Sequence, residues 1–355
     1  MNHNIEISNM KKHFFSTIFE EKESKKYKNK MVNQNFYSVN ELNISNKIKQ
    51  IPCYYKYYLI IEEYENINIR QLNDKMIEKL NTKVDEKYLL YKYNNKQVID
   101  FNDFLLDFTS PKLFILHIIQ SFSYILKGMI ELNEHNICFF NLSPENIKFP
   151  NDCREKPLLQ NFQLSLNTDG KILNEEYITN IIKKGGLDFT HKPLEVHLLF
   201  YIIQNNMSTI SYSFIEEICE VFMKNMSVLK LFSEKFTDNY KKACVESLKK
   251  YINKPRPFII TDILTHNDKW DIYSLSVIYL YIIGNIVRIF SLNQTFLNKI
   301  TNELLKNIHP EPLRRENMKE LELQFQILFN NESGWSFVND LKYNKMDACI
   351  RILFE

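Results

Sequence analysis

The segment at residues 110–149 constrains the fold of this chain more than any other. Ser110 is a favourable N-cap and Pro111 a favourable first helical residue, so a helix is predicted to begin there. Its pattern is apolar almost all round, which is typical of a buried helix. The apolar positions are Leu113, Phe114, Leu116, Ile118, Ile119, Phe122, Ile125, Leu126, Met129 and Ile130. A short loop and a strand pattern follow, and we expect the chain to be organised around this unit.

The distribution of patterns along the chain predicts an α+β fold. The chain has 355 residues, of which 45% are hydrophobic, enough for one large or two modest domains. Strand patterns are concentrated in the first third. From Pro193 onward the pattern is helical almost to the end, with breaks at Pro255, Pro257 and residues 310–312. We expect a small mixed unit beside a larger helical one.

Local signals divide the first third into short elements. Residues 14–19 are a strand candidate, and the charge run at residues 20–30 predicts a solvated loop. Ser38 and Glu41 have capping-box spacing, so a helix is predicted from Ser38 to Ile51. Further patterns predict strands at residues 54–64 and 88–93 and a short helix at residues 74–83.

Charge and cysteine content argue against several classes of function. The net charge of +2 gives none of the basic excess that nucleic-acid-binding proteins show, so no nucleic acid is expected as a partner. The six cysteines are widely spread without a C-x-x-C pair, which argues against a zinc site and favours a reduced, intracellular, cytoplasmic chain. Polar residues interrupt the apolar run at residues 272–290, which therefore predicts a buried core helix and no membrane association.

The loop at residues 137–149 resembles the catalytic loop of protein kinases, whose template is H-R-D-L-x-x-x-N. Phe139 falls on the His and Phe140 on the Arg. Asn141 falls on the Asp that acts as the base, and Asn146 on the metal-binding Asn. The Pro-Glu-Asn-Ile tail is similar to that of Ser/Thr kinases. The loop looks like a eukaryotic-type kinase loop that keeps its shape and lacks its base.

Further landmarks follow in the order of the kinase family, over residues 85–325. Asn161 stands for the Asp of D-F-G, and Glu195 ends a P-L-E segment that resembles A-P-E. Asp271 begins a segment similar to the central helix of the large lobe. Arg315 lies in a segment similar to the loop whose Arg pairs with the A-P-E Glu in the family.

The resemblance implies a bilobal protein-kinase-like fold. A reduced, mixed N-lobe is expected at residues 1–95, and a mainly helical C-lobe at residues 96–355 with a helical insertion at about residues 205–262. The residue sequence of the loop and the presence of the insertion are most similar to those of kinase-like proteins of large DNA viruses. This likeness would place the protein in the host cytoplasm.

The residues that the family uses for phosphoryl transfer are replaced or missing. Asn141 can orient a hydroxyl but cannot take its proton, which removes a base that typically contributes about 10²–10⁴-fold. Asn161 offers a neutral oxygen where Mg²⁺ prefers an anion, and Asn146 alone makes a poor metal site. No glycine precedes Gly128, so a glycine-rich phosphate loop is absent from the sequence. No cofactor is therefore assigned, and ATP with Mg²⁺ is expected to bind weakly or not at all.

Other candidates for these roles are weak. Asp152 would have to reach over from the far side of a strand, and Asp188 lies too close to the P-L-E segment to leave room for an activation loop. Lys28 and Lys30 lie in the charge run without a strand pattern, so neither is a convincing phosphate-binding lysine. Glu41 is a candidate for the helix Glu that pairs with such a lysine, but a capping-box role is the preferred explanation.

The scaffold residues of the family are retained. Glu195 and Arg315 are expected to form a buried ion pair. Asp271 is expected to bind the backbone of the loop through charge-assisted hydrogen bonds, to act as a plain helix N-cap, or both. Phe139 and Phe140 indicate apolar packing in place of polar catalysis.

A retained scaffold without its chemistry predicts a pseudokinase that acts as a scaffold or allosteric binding module with a protein partner. The insertion would supply the partner surface, unless its apolar residues pack on the core; they are Leu229, Leu231, Phe232, Phe236 and Tyr240. Two alternatives stay open, namely a divergent Ser/Thr kinase with residual activity and a structural protein of a virus particle.

Overall fold

A computed structural model confirms the mixed α+β class. It describes residues 16–17, 26–67, 87–108, 110–184, 189–330, 337–338 and 341–354. The strands are β1 Ser16–Thr17, β2 Tyr27–Asn33, β3 Tyr58–Leu59, β4 Ile61–Ile67, β5 Tyr88–Asn94, β6 Val98–Asp100, β7 Ile137–Cys138, β8 Ile147–Pro150, β9 Leu158–Gln160 and β10 Leu166–Asn167. The helices are α1 Phe36–Ile48, α2 Phe101–Leu106, α3 Pro111–Glu134, α4 Glu175–Lys184, α5 Leu194–Gln204, α6 Tyr212–Asn225, α7 Glu234–Leu248, α8 Arg256–Leu264, α9 Trp270–Phe290, α10 Phe296–Asn307, α11 Met318–Asn330 and α12 Tyr343–Phe354.

The first sheet has the strand order β1-β2-β5-β4, with antiparallel neighbours. It includes the predicted strand at residues 88–93 as β5. The prediction of a solvated loop at residues 20–30 is wrong for its last part, because Lys28 and Lys30 lie inside β2. Met31 is the one fully buried residue of β2, and the whole strand pairs with β5. Cross-strand pairing therefore specifies β2, and a local pattern does not reveal it.

Helix α1 begins before the predicted Ser38, because Asn35 is its N-cap. The Oδ1 atom of Asn35 accepts hydrogen bonds from the N–H groups of Tyr37 at 2.9 Å and Ser38 at 3.1 Å. Ser38 Oγ in turn accepts from the Asn35 N–H at 2.9 Å, which completes a capping box. The predicted capping role of Glu41 is therefore wrong, and its side chain is buried. The helix ends at Ile48, before its predicted end.

The strand predicted at residues 54–64 is divided between two sheets. Residues Tyr54–Lys56 form a short 3-10 turn, β3 joins a second sheet, and β4 joins the first. The second sheet has the order β3-β9-β8-β6, while β7 pairs separately with β10. A Cβ added at Gly128 of α3 would lie 3.3 Å from Tyr57, which directly precedes β3. The glycine therefore permits the close approach of Tyr57 to α3. The helix predicted at residues 74–83 lies outside the described residues.

Helices α3 and α9 are the longest helices of the described chain and supply much of its core. Pro111 is the first residue of α3, as predicted, and Ser110 precedes it in an extended conformation. Leu113 departs from the all-round apolar prediction, because it is 44% exposed. Both helices pass a length and hydropathy test for a membrane span. However, 56% of the apolar window in α3 and 78% of that in α9 are buried inside the fold.

The apolar residues predicted for a partner surface on the insertion belong instead to the core. Leu229 and Tyr240 are buried, and the Tyr240 hydroxyl lies within hydrogen-bond distance of a backbone carbonyl. Leu231, Phe232 and Phe236 are partly buried and pack against the same core. These residues therefore pack on the core and do not form an exposed surface. Packing on the core was one of the two alternatives that the sequence left open.

The insertion packs closely against α9. A Cβ added at Gly284 would lie only 2.7 Å from Leu231 Cδ1, so Leu231 fills space that a side chain would otherwise take. The insertion also presents Tyr212 and Phe258 to solvent, with 46% and 50% of each residue exposed. These two aromatic residues are the exposed large apolar groups of the predicted insertion.

Glu195 and Arg315 form the predicted buried ion pair, which joins α5 to the segment between α10 and α11. Nη1 and Nη2 of Arg315 lie 2.6 and 2.9 Å from the two carboxylate oxygens of Glu195. The guanidinium also donates to the His309 carbonyl at 2.7 Å and lies 4.9 Å over the Tyr273 ring. Because both side chains are almost completely buried, neither charge has water as a substitute partner.

Removing the charge of Glu195 tests this pair. We expect Glu195→Gln to lower the free energy of unfolding by about 3–5 kcal/mol, because Arg315 is left as an uncompensated buried charge. Urea denaturation followed by circular dichroism measures the change. The double variant Glu195→Gln with Arg315→Met should lose less than the two single variants added together. A single-variant loss below about 1 kcal/mol, the size typical of an exposed pair, would contradict this assignment.

Candidate functional site

The loop between β7 and β8, residues 139–146, is the centre of the candidate site and is called the central loop here. The Asp271 carboxylate accepts hydrogen bonds from the backbone N–H groups of Phe139 at 2.6 Å and Phe140 at 2.8 Å. The predicted backbone contact of Asp271 is therefore confirmed. Burial raises the pKa of Asp271, and the two N–H donors oppose that shift. Since Phe140 has φ of 58°, these bonds hold the loop in a conformation that non-glycine residues rarely adopt.

The phenylalanine side chains of the central loop pack against apolar residues, as the sequence predicts. Phe139 packs edge-on against Phe162 with ring centroids 5.0 Å apart, and Phe140 packs against Trp270 at 5.3 Å. Both phenylalanines are buried. The side chains at these two positions therefore stabilise the loop by burial and carry no polar chemistry.

Lys192 is a buried charged residue of this site that the sequence reasoning missed. Its ammonium group donates a hydrogen bond to the Phe140 carbonyl and lies 5.0 Å over the Phe140 ring. The Phe140 residue is thus held from both sides, by Asp271 at its N–H and by Lys192 at its carbonyl. The opposite charges of Lys192 and Asp271 also attract each other, which offsets the cost of burying both. No local pattern marks Lys192, because its partners lie far away in sequence.

The structure brings together the three asparagines predicted for the site. Asn146 Nδ2 donates to the Asn141 carbonyl at 2.7 Å and to Ser143 Oγ at 3.2 Å. Asn161 Nδ2 donates to Asn146 Oδ1 at 3.1 Å. One hydrogen bond therefore links the side chains of Asn146 and Asn161, and Asn141 joins them through its backbone carbonyl. This cluster carries dipoles and no net charge.

A metal site built from carboxylates is not found in the part of the chain that the structure describes. No group of three or more His, Cys, Asp or Glu side chains in those residues is placed to hold a metal ion. Asp152 is exposed and follows the end of β8 that lies away from Asn146. Since Asn146 immediately precedes β8, the whole strand separates the two residues. Asp188 lies outside the described residues.

Glu41 and Lys30 lie near each other on the other side of the site, which corrects the sequence reasoning about both. Glu41 is 5% exposed. Its carboxyl group lies 3.4 Å from the Tyr93 hydroxyl. The Lys30 charge, the Tyr93 hydroxyl and the Phe162 backbone N–H each favour the ionised form of this carboxyl and so lower its pKa, against the larger effect of burial. Lys30 belongs to β2 and Glu41 to α1, so the strand lysine and helix glutamate that were discounted in the sequence are near neighbours. No local pattern marks Lys30, because β2 is specified by its pairing with β5.

Comparison with protein-family models gives no match for this chain, and comparison with curated proteins gives none either. The support for a function therefore comes from the geometry of the site, namely a fixed central loop, a neutral asparagine cluster and a buried glutamate beside a lysine.

Replacing Glu41 by Gln tests the cost of its burial. Burial raises the pKa of Glu41 above its ordinary value of 4.5, so its ionisation destabilises the fold at high pH and this penalty disappears as the pH falls through the raised pKa. We expect the melting temperature of Glu41→Gln to exceed that of the wild type at about pH 8 and the difference to shrink towards about pH 4.5. Differential scanning fluorimetry measures it.

Glu176→Gln is the matched control for this titration, because Glu176 is an exposed residue of α4. Its melting temperature should follow that of the wild type at every pH. A difference between Glu41→Gln and wild type that instead grows in the variant's favour as the pH falls would show that attraction to Lys30 outweighs the cost of burial.

Proposed function

We propose that this protein has a bilobal protein-kinase-like fold and acts as a pseudokinase, a scaffold or allosteric binding module for a protein partner. The first sheet and α1 would form the small lobe, up to about residue 95. The helices from residue 96 onward would form the large lobe, with α6, α7 and α8 as an insertion between the P-L-E segment and α9.

Features far apart in the sequence support this fold. Helix α1 follows β2 in the chain and supplies Glu41, which contacts the segment after β9 at Phe162. Asp271 binds the central loop, and Glu195 pairs with Arg315. The kinase resemblance implies the contact of Asp271, the pair of Glu195 with Arg315 and a helix glutamate at the position of Glu41, and these features are independent of one another. Their joint occurrence favours the kinase-like arrangement over a chance likeness of one loop.

The observation that carries the proposed function is the hydrogen bond between Asn161 and Asn146. In protein kinases the residues at these two positions hold the metal ions that neutralise the transferred phosphoryl group. Mg²⁺ gives up its water reluctantly and prefers anionic oxygens. Two neutral amides that already bond each other offer it little, and Asn141 supplies no base. The site therefore keeps the shape of a catalytic centre without the negative charge that phosphoryl transfer requires.

A Ser/Thr kinase with residual activity is the second candidate, because of Lys30 and Glu41. An active kinase needs a strand lysine paired with a helix glutamate. Lys30 of β2 and Glu41 of α1 are the candidates for these two roles, because the Lys30 charge acts on the Glu41 carboxyl. Phosphate transfer from ATP to casein or to the protein itself, lost in Asn141→Ala, would favour this candidate. Transfer that is equal in the wild type and Asn141→Ala would point to a contaminating kinase.

Thermal-shift titration with ATP distinguishes the two candidates. We expect the melting temperature of the wild type to be the same with ATP alone and with ATP plus MgCl₂, because no anionic ligand holds the metal. A kinase with residual activity would instead show stabilisation that depends on Mg²⁺. Such a metal-dependent rise in the wild type, by about 2 °C or more, would contradict the pseudokinase proposal.

Restoring one negative charge sharpens this test. Asn161→Asp places a carboxylate beside Asn146 Oδ1, and we expect it to add a Mg²⁺-dependent rise of about 2 °C or more in the presence of ATP. Asn151→Asp is the control, because it makes the same substitution at an exposed turn residue. An equal response of the two variants would show that the added charge acts non-specifically.

A further inference from the structure

Asn40 connects α1 to two segments of the large lobe. Its Nδ2 group donates to the backbone carbonyls of Gln163 and Ser165, each at 2.9 Å. Its Oδ1 atom accepts from the Tyr177 hydroxyl of α4 at 2.7 Å. Asn40 is buried, so water is a poor substitute for these partners. The amide thus uses both its donor and its acceptor groups to fix α1 to the segment after β9 and to α4.

The contact made by Asn40 continues into the central loop. Ser165, whose carbonyl Asn40 binds, donates its own hydroxyl to the Phe139 carbonyl at 2.9 Å. The Phe139 N–H is in turn bound by Asp271. An unbroken series of buried polar contacts therefore runs from α1 through the central loop to α9. Because each member is buried, a displacement of α1 leaves polar groups unsatisfied.

Three further hydrogen bonds, from Tyr37 and Lys47, hold α1 near its ends. Near the first, the Tyr37 hydroxyl donates to the Asn180 carbonyl of α4 at 2.9 Å. Near the last turn, Lys47 Nζ donates to the Asn136 carbonyl at 3.1 Å and to Asn167 Oδ1 at 2.7 Å. With Asn40, these residues are spaced by three and seven positions, so they lie on one face of the helix. That face is bonded to the large lobe along its length.

We propose that this face of α1 is a clamp that fixes the helix against the large lobe without a bound nucleotide, with Asn40 as its central positioning residue. The inference rests on the proposed function and deepens it. A kinase that binds nucleotide and metal has these ligands to bridge its lobes, whereas a fold that binds them poorly needs protein contacts for the same purpose. The clamp keeps the arrangement of α1, α4 and the central loop the same whether or not nucleotide is present.

Hydrogen–deuterium exchange on the full chain tests the clamp. We expect Asn40→Ala to raise the exchange rates of amides in residues 36–48 and 162–167 by about tenfold or more, because local opening becomes easier. Asn43→Ala is the matched control, since Asn43 is an exposed residue of the same helix. It should leave these rates unchanged. Equal exchange in the two variants would overturn the clamp and leave the pseudokinase proposal intact.

Two further exchange measurements, one on Tyr177→Phe and one on the wild type with nucleotide, complete the test. If Asn40→Ala does not fold, Tyr177→Phe removes the hydroxyl that Asn40 Oδ1 accepts from, and an increase of about threefold in the same segments is expected. No increase in Tyr177→Phe would overturn the clamp. ATP with MgCl₂ added to the wild type should leave α1 exchange unchanged. Protection of α1 that develops only with nucleotide would overturn both the clamp and the proposed function.

Discussion

The Asp271 carboxylate fixes the conformation on which the candidate site depends. It binds two consecutive backbone N–H groups of the central loop, one of them from Phe140 with its left-handed backbone. Charge-assisted bonds of this kind are stronger than neutral ones, and burial keeps water from competing. Lys192 adds a hydrogen bond to the Phe140 carbonyl. The shape of the loop is therefore set by groups that lie outside it and that bind its backbone.

That arrangement makes the conformation of the central loop independent of its side chains. The bonds to Phe139 and Phe140 use backbone atoms, so they place no demand on the side chains, and aromatic rings can fill the space below the loop. Asn146 likewise holds the Asn141 carbonyl and not its side chain. Replacing a carboxylate by an amide at such positions removes charge while leaving the hydrogen-bond geometry possible. The central loop can therefore keep its conformation while the side chains at these positions change.

Elements with strong local signals were predictable from the sequence, and elements specified at a distance were not. The helix at Pro111 and the strand at residues 88–93 follow from local pattern, and the partners of Asp271 and Arg315 followed from the order of landmarks. The start of α1 was misplaced because Asn35 and Ser38 are both good caps, and only the folded geometry decides between them. β2 was missed because its partner strand lies far along the chain.

The charged residues of the site show the same division. Lys30 could be judged only once its strand was known, and the burial of Lys192 depends on Phe140 and Asp271. The sequence identified the apolar residues of the insertion but could not say whether they meet solvent or protein. A hydrophobic stripe predicts burial against something, and the partner is decided by the tertiary fold.

The meeting of Leu231 with Gly284 has a consequence for the architecture as a whole. Leu231 occupies a notch in α9 that exists only because Gly284 has no side chain. The surfaces of the insertion and the helix are therefore complementary in shape. A shortened chain lacking that leucine would expose an apolar hollow on α9, which is largely buried. The insertion, which the sequence suggests could be separate, is thus part of the hydrophobic core. Deleting it would expose apolar surface and give an aggregation-prone protein, not a smaller stable one.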